Sequence, residues 1–175
     1  MKILNRIKKS SKLSNIELAI CLVKKNPMET ILQKATELGV SRITPIISER
    51  TEVKELNYER AQKIVIEATE QSNQLNPPEV SKVIKLKDFL DNLDSGAKFL
   101  FADVNSQNNL QKKDVEGDTL KTILIGPEGD FSPSERESIL AKANTTSFSI
   151  SKNILRSDTA VISAISLVNF INNFH

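Results

Sequence analysis

Apolar residues occur along the chain in short blocks separated by amphipathic segments. Nearly continuous apolar runs of strand length lie at 16–23, 42–47, 80–84, 98–102, 123–125 and 148–150. Between them, apolar residues recur at the three- and four-residue spacing of helices, at 26–38, 57–74, 87–93, from 132 onward and at 158–171. Residues 105–118 are polar and predict a surface loop with a weak helix. This alternation predicts an α/β domain, a parallel sheet flanked by helices, with its ligand at the carboxyl ends of the strands.

Capping residues mark the predicted helix boundaries. Asn26 is a plausible N-cap for the first helix, with Glu29 three residues later in the capping-box arrangement. Gly39 follows the same helix and provides the left-handed residue that commonly ends one. Ser132 and Glu135 form a second capping box before the helix that follows the apolar run at 123–125.

Composition places the chain among soluble globular proteins. Its 175 residues are 39% hydrophobic and 26% charged, with a net charge of +2, which argues against a broad non-specific nucleic-acid binder. No apolar run approaches the roughly 20 residues that span a membrane. A single cysteine, Cys21, and a single histidine, His175, leave no disulfide, no zinc site and no histidine-based catalytic triad. We therefore expect a cytoplasmic protein without a metal.

Basic residues are concentrated at the start of the chain. Within the first 25 residues, seven basic side chains stand against the single acid Glu17: Lys2, Arg6, Lys8, Lys9, Lys12, Lys24 and Lys25. Such a leader is either a solvated terminus or an arm that contacts phosphates.

Two loops that follow predicted strands carry the candidate chemistry. Gly126 and Gly129 flank Pro127 and Glu128, so this segment is either an ordinary tight turn or a place where backbone approaches a ligand closely. It matches neither the Walker loop nor the dinucleotide-binding glycine pattern. In the second loop, Arg156 and Asp158 precede the closing helix, where they form either a surface ion pair or part of a site.

Five segments in fixed order resemble one known family. They are QKATELGV (33–40), SERT (48–51), EATEQS (67–72), IGPEG (125–129) and ILRSDTA (154–160). Over residues from about 22 to 172 the chain resembles the bacterial ribosomal RNA small-subunit methyltransferase E family. The resemblance implies a SPOUT-type fold with a C-terminal trefoil knot, a homodimer, and S-adenosylmethionine as the methyl donor. It also implies methylation at N3 of a uridine in small-subunit ribosomal RNA, free or in the assembled subunit.

The resemblance also implies roles for particular residues. Arg156 would stabilise the developing uridine anion, and Glu128 would act as the base, with a pKa raised by a buried, low-dielectric loop. Arg50 and Gln71 would join Arg156 in binding RNA. The cofactor would lie against Phe101, Ala102, Gly126, Pro127, Glu128, Gly129, Ile150, Ser151, Ile154, Leu155 and Thr159.

The chain departs from the family pattern in two ways. Asp130 and Ser151 replace expected glycines, Gln74 and Asn153 replace expected basic residues, and Asp158 is a shortened acid. The family carries a β-rich, PUA-type RNA-binding domain before residue 16, so we expect residues 1–15 to be a remnant of that domain or a linker from it, and 16–175 to be the methyltransferase domain. These differences predict weakened RNA binding more than weakened cofactor binding.

The sequence is also compatible with two other functions. The chain could be a knotted, cofactor-binding dimer that methylates no RNA because the RNA-binding domain is missing. It could also be an unrelated nucleotide-binding hydrolase, a hypothesis that depends only on the glycine turn at 126–129.

Overall fold

The fold is known from a computed structural model that describes residues 15–174, so all but Asn15 of the predicted leader lies outside the described residues. Within this range strands and helices alternate as the sequence predicted. The elements are β1 (Ile16–Cys21), α1 (Lys25–Glu37), β2 (Arg42–Ile47), α2 (Tyr58–Gln71), β3 (Glu79–Val80), β4 (Ile84–Lys85), α3 (Leu86–Asp91), β5 (Lys98–Ala102), α4 (Lys112–Val115), β6 (Lys121–Ile125), α5 (Pro133–Leu140), β7 (Thr145–Phe148) and α6 (Ser157–Phe174).

The strands form one parallel sheet, which confirms the predicted fold class. Their order is β3-β2-β1-β6-β5-β7, and β4 pairs with β2 beside β3. Because all the strands run in the same direction, the segments that leave β5, β6 and β7 emerge at the same edge of the sheet. That edge is where a ligand site is expected in such a fold.

Both faces of the sheet are covered by helices. Alternate residues of β1 illustrate the two layers: Leu18 and Ile20 belong to the core beneath α1, α2 and α6, whereas Ala19 and Cys21 belong to the core beneath α3 and α5. All four side chains are 0% exposed. Burial on both faces explains why the central strands read as continuous apolar runs rather than as alternating patterns.

The predicted helix ends are partly confirmed. Gly39 has φ +84°, and its N–H donates to the carbonyl of Thr36, as in a Schellman motif. The capping box of Ser132 and Glu135 is also present at α5. The predicted N-cap at Asn26 is wrong. The N-cap of helix α1 lies two residues earlier, at Lys24, and has no side-chain cap.

Two strands differ from the predictions because polar residues break the apolar pattern. The single strand predicted at 80–84 is two short strands, β3 and β4, which pair with opposite ends of β2. Pro45 of β2 lies between these pairings, where its missing N–H disrupts no ladder. The strand predicted at 148–150 lies instead at Thr145–Phe148, and its first three residues are half-buried. An edge position tolerates this polar sequence.

Candidate functional site

A cavity of about 340 Å³ lies at the carboxyl edge of the sheet. Three loops enclose it, one after each of the neighbouring strands β5, β6 and β7, and the first turn of α6 closes one side. Its size falls within the range of small-molecule sites in proteins. The residues that line it are Ala102, Asp103, Val104, Ile125, Gly126, Pro127, Glu128, Gly129, Asp130, Ser149, Ile150, Ser151, Asn153, Ile154, Leu155, Ser157 and Ala160.

The ionisable side chains that line the cavity are all acidic. The carboxylates of Glu128 and Asp130 line the cavity together with many apolar side chains, whereas the third carboxylate of the lining, Asp103, is buried and already ion-paired. The lining residues include no lysine, arginine or histidine. Two apolar side chains at the cavity, Ile154 and Val104, are 89% and 58% exposed. The site therefore favours a ligand that is partly apolar and carries positive charge.

Asp103 is the most constrained polar group of the cavity, with a side chain that is 0% exposed. Its carboxylate accepts hydrogen bonds from the Arg136 guanidinium at 2.6 Å, the Asn105 backbone N–H at 2.9 Å and the Ser147 hydroxyl at 3.1 Å. Burial raises the pKa of Asp103, but the Arg136 guanidinium and the hydrogen bonds lower it more, and the pKa lies below its ordinary value. The carboxylate thus stays ionised and joins the loop after β5 to both α5 and β7.

The loop after β6 needs a glycine at one of its two glycine positions. A Cβ at Gly126 would lie 2.9 Å from the ring of Phe131, which is itself packed against Phe101 with ring centroids 5.7 Å apart. At Gly129 the nearest atoms to a Cβ belong to Arg50, at 3.8 Å, so a small side chain fits there. Gly126 is therefore the residue that allows the backbone of this loop to pass close to the Phe131 ring.

Asp130 occupies a left-handed backbone conformation, with φ +59°. A glycine adopts this conformation without strain, which accounts for the glycine that the family pattern has at this position. Here the carboxylate of Asp130 accepts hydrogen bonds from the Phe131 N–H at 2.7 Å and the Asn105 side-chain amide at 3.3 Å. Such local bonding is what lets aspartate adopt the left-handed region.

The turn at residues 48–51 supports the same loop from outside. The Arg50 guanidinium donates to the carbonyl of Gly129 at 2.9 Å. The Glu135 carboxylate accepts from the Ser132 N–H at 3.0 Å and from the Glu49 N–H at 2.8 Å, so the cap of α5 also fixes this turn. The SERT segment thus positions the wall of the cavity.

The only cysteine lies in the core beside this turn. Burial raises the pKa of the Cys21 thiol to about 12, although hydrogen bonds with Ser48 and Thr51 oppose the shift. The thiol is therefore protonated at neutral pH and is not a nucleophile of the site.

Most of the predicted cofactor residues come together at the cavity. Nine of the eleven line it, and the exceptions are Phe101 and Thr159. Phe101 is 1% exposed and packs in the core beneath α3 and α5. Thr159 is exposed on the first turn of α6. The binding roles of all eleven stay predictions.

The predicted catalytic pair lies at the rim. Glu128 is exposed, so the expectation of a buried, low-dielectric carboxyl is wrong. The side chain of Arg156 is 72% exposed, with its Nε 3.7 Å from a carboxylate oxygen of Asp158. Both residues also line a shallow groove beside the cavity. Arg50 does not line the cavity, and Gln71 lies in a separate groove between α1 and α2.

Several residues of the site were not assigned to it from the sequence. They are Val104, Ile125, Asp130, Ser149, Ser157, Ala160 and Arg136. Val104, Ile125 and Ser149 lie at or just after a strand end, so the position of the strands was the signal that could have found them. The pairing of Arg136 with Asp103 spans 33 residues and has no local signature.

Neither a metal cluster nor a membrane span is found in the described part of the chain. No group of three or more His, Cys, Asp or Glu side chains among residues 15–174 could hold a metal ion. None of the helices in the same range is long and apolar enough to cross a bilayer.

The sequence matches known methyltransferases over nearly its whole length. Residues 9–169 match the family described as RNA methyltransferase domain. The chain is 34% identical, over 99% of its length, to ribosomal RNA small subunit methyltransferase E of Rickettsia conorii, of which it covers 71%. It is 38% identical to the protein of the same name from Aquifex aeolicus, over 82% of this chain and 63% of that protein.

Solved structures agree with the sequence comparison. The fold superposes with a TM-score of 0.82 on ribosomal RNA small subunit methyltransferase E of Neisseria gonorrhoeae bound to S-adenosylmethionine, at 32% identity, covering 92% of this chain and 68% of that one. A methyltransferase of Legionella pneumophila in complex with the same cofactor gives a TM-score of 0.77 at 30% identity, covering 90% and 66%. The chain thus spans about two thirds of the length of these proteins.

Removing the charge of Asp103 tests the buried ion pair. At pH 7 we expect Asp103→Asn to lower the free energy of unfolding by about 2–4 kcal/mol, because it leaves the Arg136 guanidinium without its carboxylate. The folded-state pKa is depressed, so the wild-type advantage is present above about pH 4 and is lost as the pH falls through the folded pKa. Urea unfolding at several pH values measures both effects.

The control for this experiment is Asp91→Asn, which breaks an exposed pair with Lys142 at 3.4 Å. It should cost less than about 0.5 kcal/mol. Equal losses in the two variants at pH 7 would show that Asp103 is not an organising group.

Two substitutions at Asp130 test the left-handed conformation. Asp130→Gly removes the strain together with the carboxylate hydrogen bonds, so its unfolding free energy should stay within about 0.5 kcal/mol of the wild type. Asp130→Ala keeps the strain and loses the same bonds, and should be about 1 kcal/mol less stable than the glycine variant. Thermal unfolding of both variants measures the difference, and equal stability of the two would contradict the conformational explanation.

Proposed function

Because the chain belongs to the RNA methyltransferase domain family, we propose that it is an S-adenosylmethionine-dependent methyltransferase of small-subunit ribosomal RNA. The observation that carries this proposal is the cavity at the carboxyl edge of the sheet, which has no basic side chain in its lining and presents the carboxylates of Glu128 and Asp130 to a ligand. S-Adenosylmethionine carries a sulfonium and an ammonium group, and it fits such a lining. A nucleoside triphosphate would face repulsion from the same carboxylates, which disfavours the nucleotide hydrolase.

The lining also fits the uncharged part of the cofactor. Ile125, Ile150 and Leu155 offer apolar surface to an adenine ring, and the backbone groups of the loops offer hydrogen bonds to its polar edge. Gly126 lets the main chain pass beneath the cavity without a clash against Phe131. When bound, S-adenosylmethionine supplies an electrophilic methyl group on its sulfonium.

Arg156 and Glu128 would act on the uridine that accepts the methyl group. Methylation at N3 of uridine requires loss of the N3 proton and stabilisation of the resulting anion. The exposed guanidinium of Arg156 lies beside the cavity and is available to a developing negative charge. The Glu128 carboxylate lines both the cavity and the neighbouring groove, where it can accept the proton. The N3 position of the target comes from the family resemblance.

A homodimer belongs to the same proposal, and helix α6 supports it. Val161, Ile165 and Val168 on this helix are fully buried, whereas Ile162 and Leu167 are only half-buried within the single chain. Phe170 is 52% exposed. A second copy packed on this apolar surface would bury it. The trefoil knot and a cytoplasmic location stay predictions from the resemblance and the composition.

Binding and turnover together test the function. Calorimetry should show that the full chain binds S-adenosylmethionine in preference to ATP or GTP. The chain should also transfer a labelled methyl group to small ribosomal subunits that lack the modification. Preferential binding of ATP would favour the hydrolase, and cofactor binding without transfer would favour the non-catalytic dimer.

Arg156→Ala separates catalysis from binding. We expect kcat to fall about 100-fold, as when one transition-state donor is removed, with unchanged affinity for S-adenosylmethionine. The control is Lys113→Ala, which removes an exposed cation remote from the cavity and should leave kcat unaltered. If Arg156→Ala keeps its kcat and only raises KM for the subunits, the catalytic role is wrong.

A further inference from the structure

A shallow, open groove with basic side chains adjoins the cavity. Its volume is about 660 Å³, and we call it the basic groove; it is lined by Lys24, Lys25, Asn26, Pro27, Glu128 and Arg156. Glu128 lines the cavity as well, so the two sites share a wall. At Asn26 the basic groove continues into the groove between α1 and α2 that contains Gln71. Whatever occupies the basic groove therefore lies directly beside the ligand of the cavity.

The cations of this groove are only weakly paired within the protein. Each of the other arginines among residues 15–174 donates to a carboxylate or carbonyl over a short distance: Arg42 at 3.1 Å, Arg50 at 2.9 Å, Arg60 at 2.9 Å and Arg136 at 2.6 Å. Arg156 is the exception, because its Nε is 3.7 Å from the carboxylate of Asp158, beyond hydrogen-bond distance.

Lys24 and Lys25 are likewise available to a ligand. Both are exposed, and neither side chain has an ion pair within 4.0 Å in the range that the structure describes. Lys25 interacts with the Glu29 carboxylate only at longer range. Three cations thus border the groove against the single carboxylate of Glu128.

The stability of helix α1 does not explain why lysines occupy its N-cap and first positions. Lys24 is the N-cap of α1 and Lys25 its first residue, where the partial positive charge of the helix end opposes a cation. Neither lysine provides a side-chain cap, and the first turn carries no acidic residue to offset them. Residues that violate a local stability rule are often retained for binding.

We propose that the basic groove binds the phosphodiester backbone of the substrate RNA next to the target nucleotide. This rests on the function proposed above. Lysine ammonium groups on flexible stems suit phosphates in several orientations, and such contacts position a nucleic acid without reading its sequence. The Glu128 carboxylate repels phosphates, so the backbone lies on the side of Lys24 and Lys25. The target base is then directed towards the mouth of the cavity, where Arg156 lies.

The double variant Lys24→Gln/Lys25→Gln tests this inference in the full chain, with unmethylated small ribosomal subunits as the probe. We expect KM for the subunits to rise on the order of tenfold with little change in kcat. The slope of log KM against log salt should become shallower by about 2, one unit for each lost phosphate contact. Affinity for S-adenosylmethionine by calorimetry should be unchanged, and the melting temperature should be equal or higher, because two unfavourable charges leave the start of α1.

The matched control is Lys112→Gln/Lys113→Gln, which makes the same change of net charge on the exposed residues of α4. It should leave both KM and the salt slope close to those of the wild type. Equal changes of KM and salt slope in the two double variants would show that the effect depends only on net charge, and would overturn the inference. An unchanged KM in the Lys24/Lys25 variant would also overturn it, provided that the wild type binds S-adenosylmethionine and methylates subunits. Absence of cofactor binding or methyl transfer in the wild type would instead refute the proposed function.

Discussion

The buried carboxylate of Asp103 connects the loop after β5 to strand β7, to helix α5 and, through Asn105, to the loop after β6. Its hydrogen bonds reach Arg136 on α5, Ser147 on β7 and the backbone of Asn105. The side chain of Asn105 extends the network to Asp130, in the loop after β6. Parallel strands bring the three loops to one edge, but strand direction alone leaves their conformations free. A single ionised group, kept charged by an adjacent guanidinium, fixes the loop after β5 against its neighbours at this edge.

Charge is divided sharply between the cavity and the neighbouring groove. The cavity is lined by carboxylates and apolar side chains, whereas the basic groove carries Lys24, Lys25 and Arg156. The two substrates of an RNA methyltransferase differ in the same way, since the methyl donor is cationic and the RNA is anionic. Glu128 lies on the shared wall, where it separates the two environments. Under the proposed function, this division gives each substrate a favourable surface and an unfavourable one.

The sequence predicts those parts of the fold that local physics determines. Strands buried on both faces appear in the sequence as apolar runs. Gly39 has a left-handed backbone that favours glycine, and Ser132 occupies an N-cap position that favours serine. Strand β7 was misplaced because an edge position does not need apolar residues. Helix α1 was started too late because Asn26 resembles a cap, whereas the structure begins the helix at Lys25. The pairing of Asp103 with Arg136 and the exposure of Glu128 depend on tertiary packing, which no local pattern encodes.

The central claim is that the three loops form the cofactor site, and a second cavity provides a direct alternative. A cavity of about 410 Å³ with both apolar and charged lining residues lies between α1, α2 and the segment at 53–57, and includes Leu22, Met28 and Leu56. Backbone amide shifts in NMR spectra of the full chain, recorded while S-adenosylmethionine is added, distinguish the two. We predict saturable shifts at residues 102–105, 125–131 and 149–157, with residues 53–64 unaffected. Shifts confined to residues 53–64, or none at the three loops, would contradict the account.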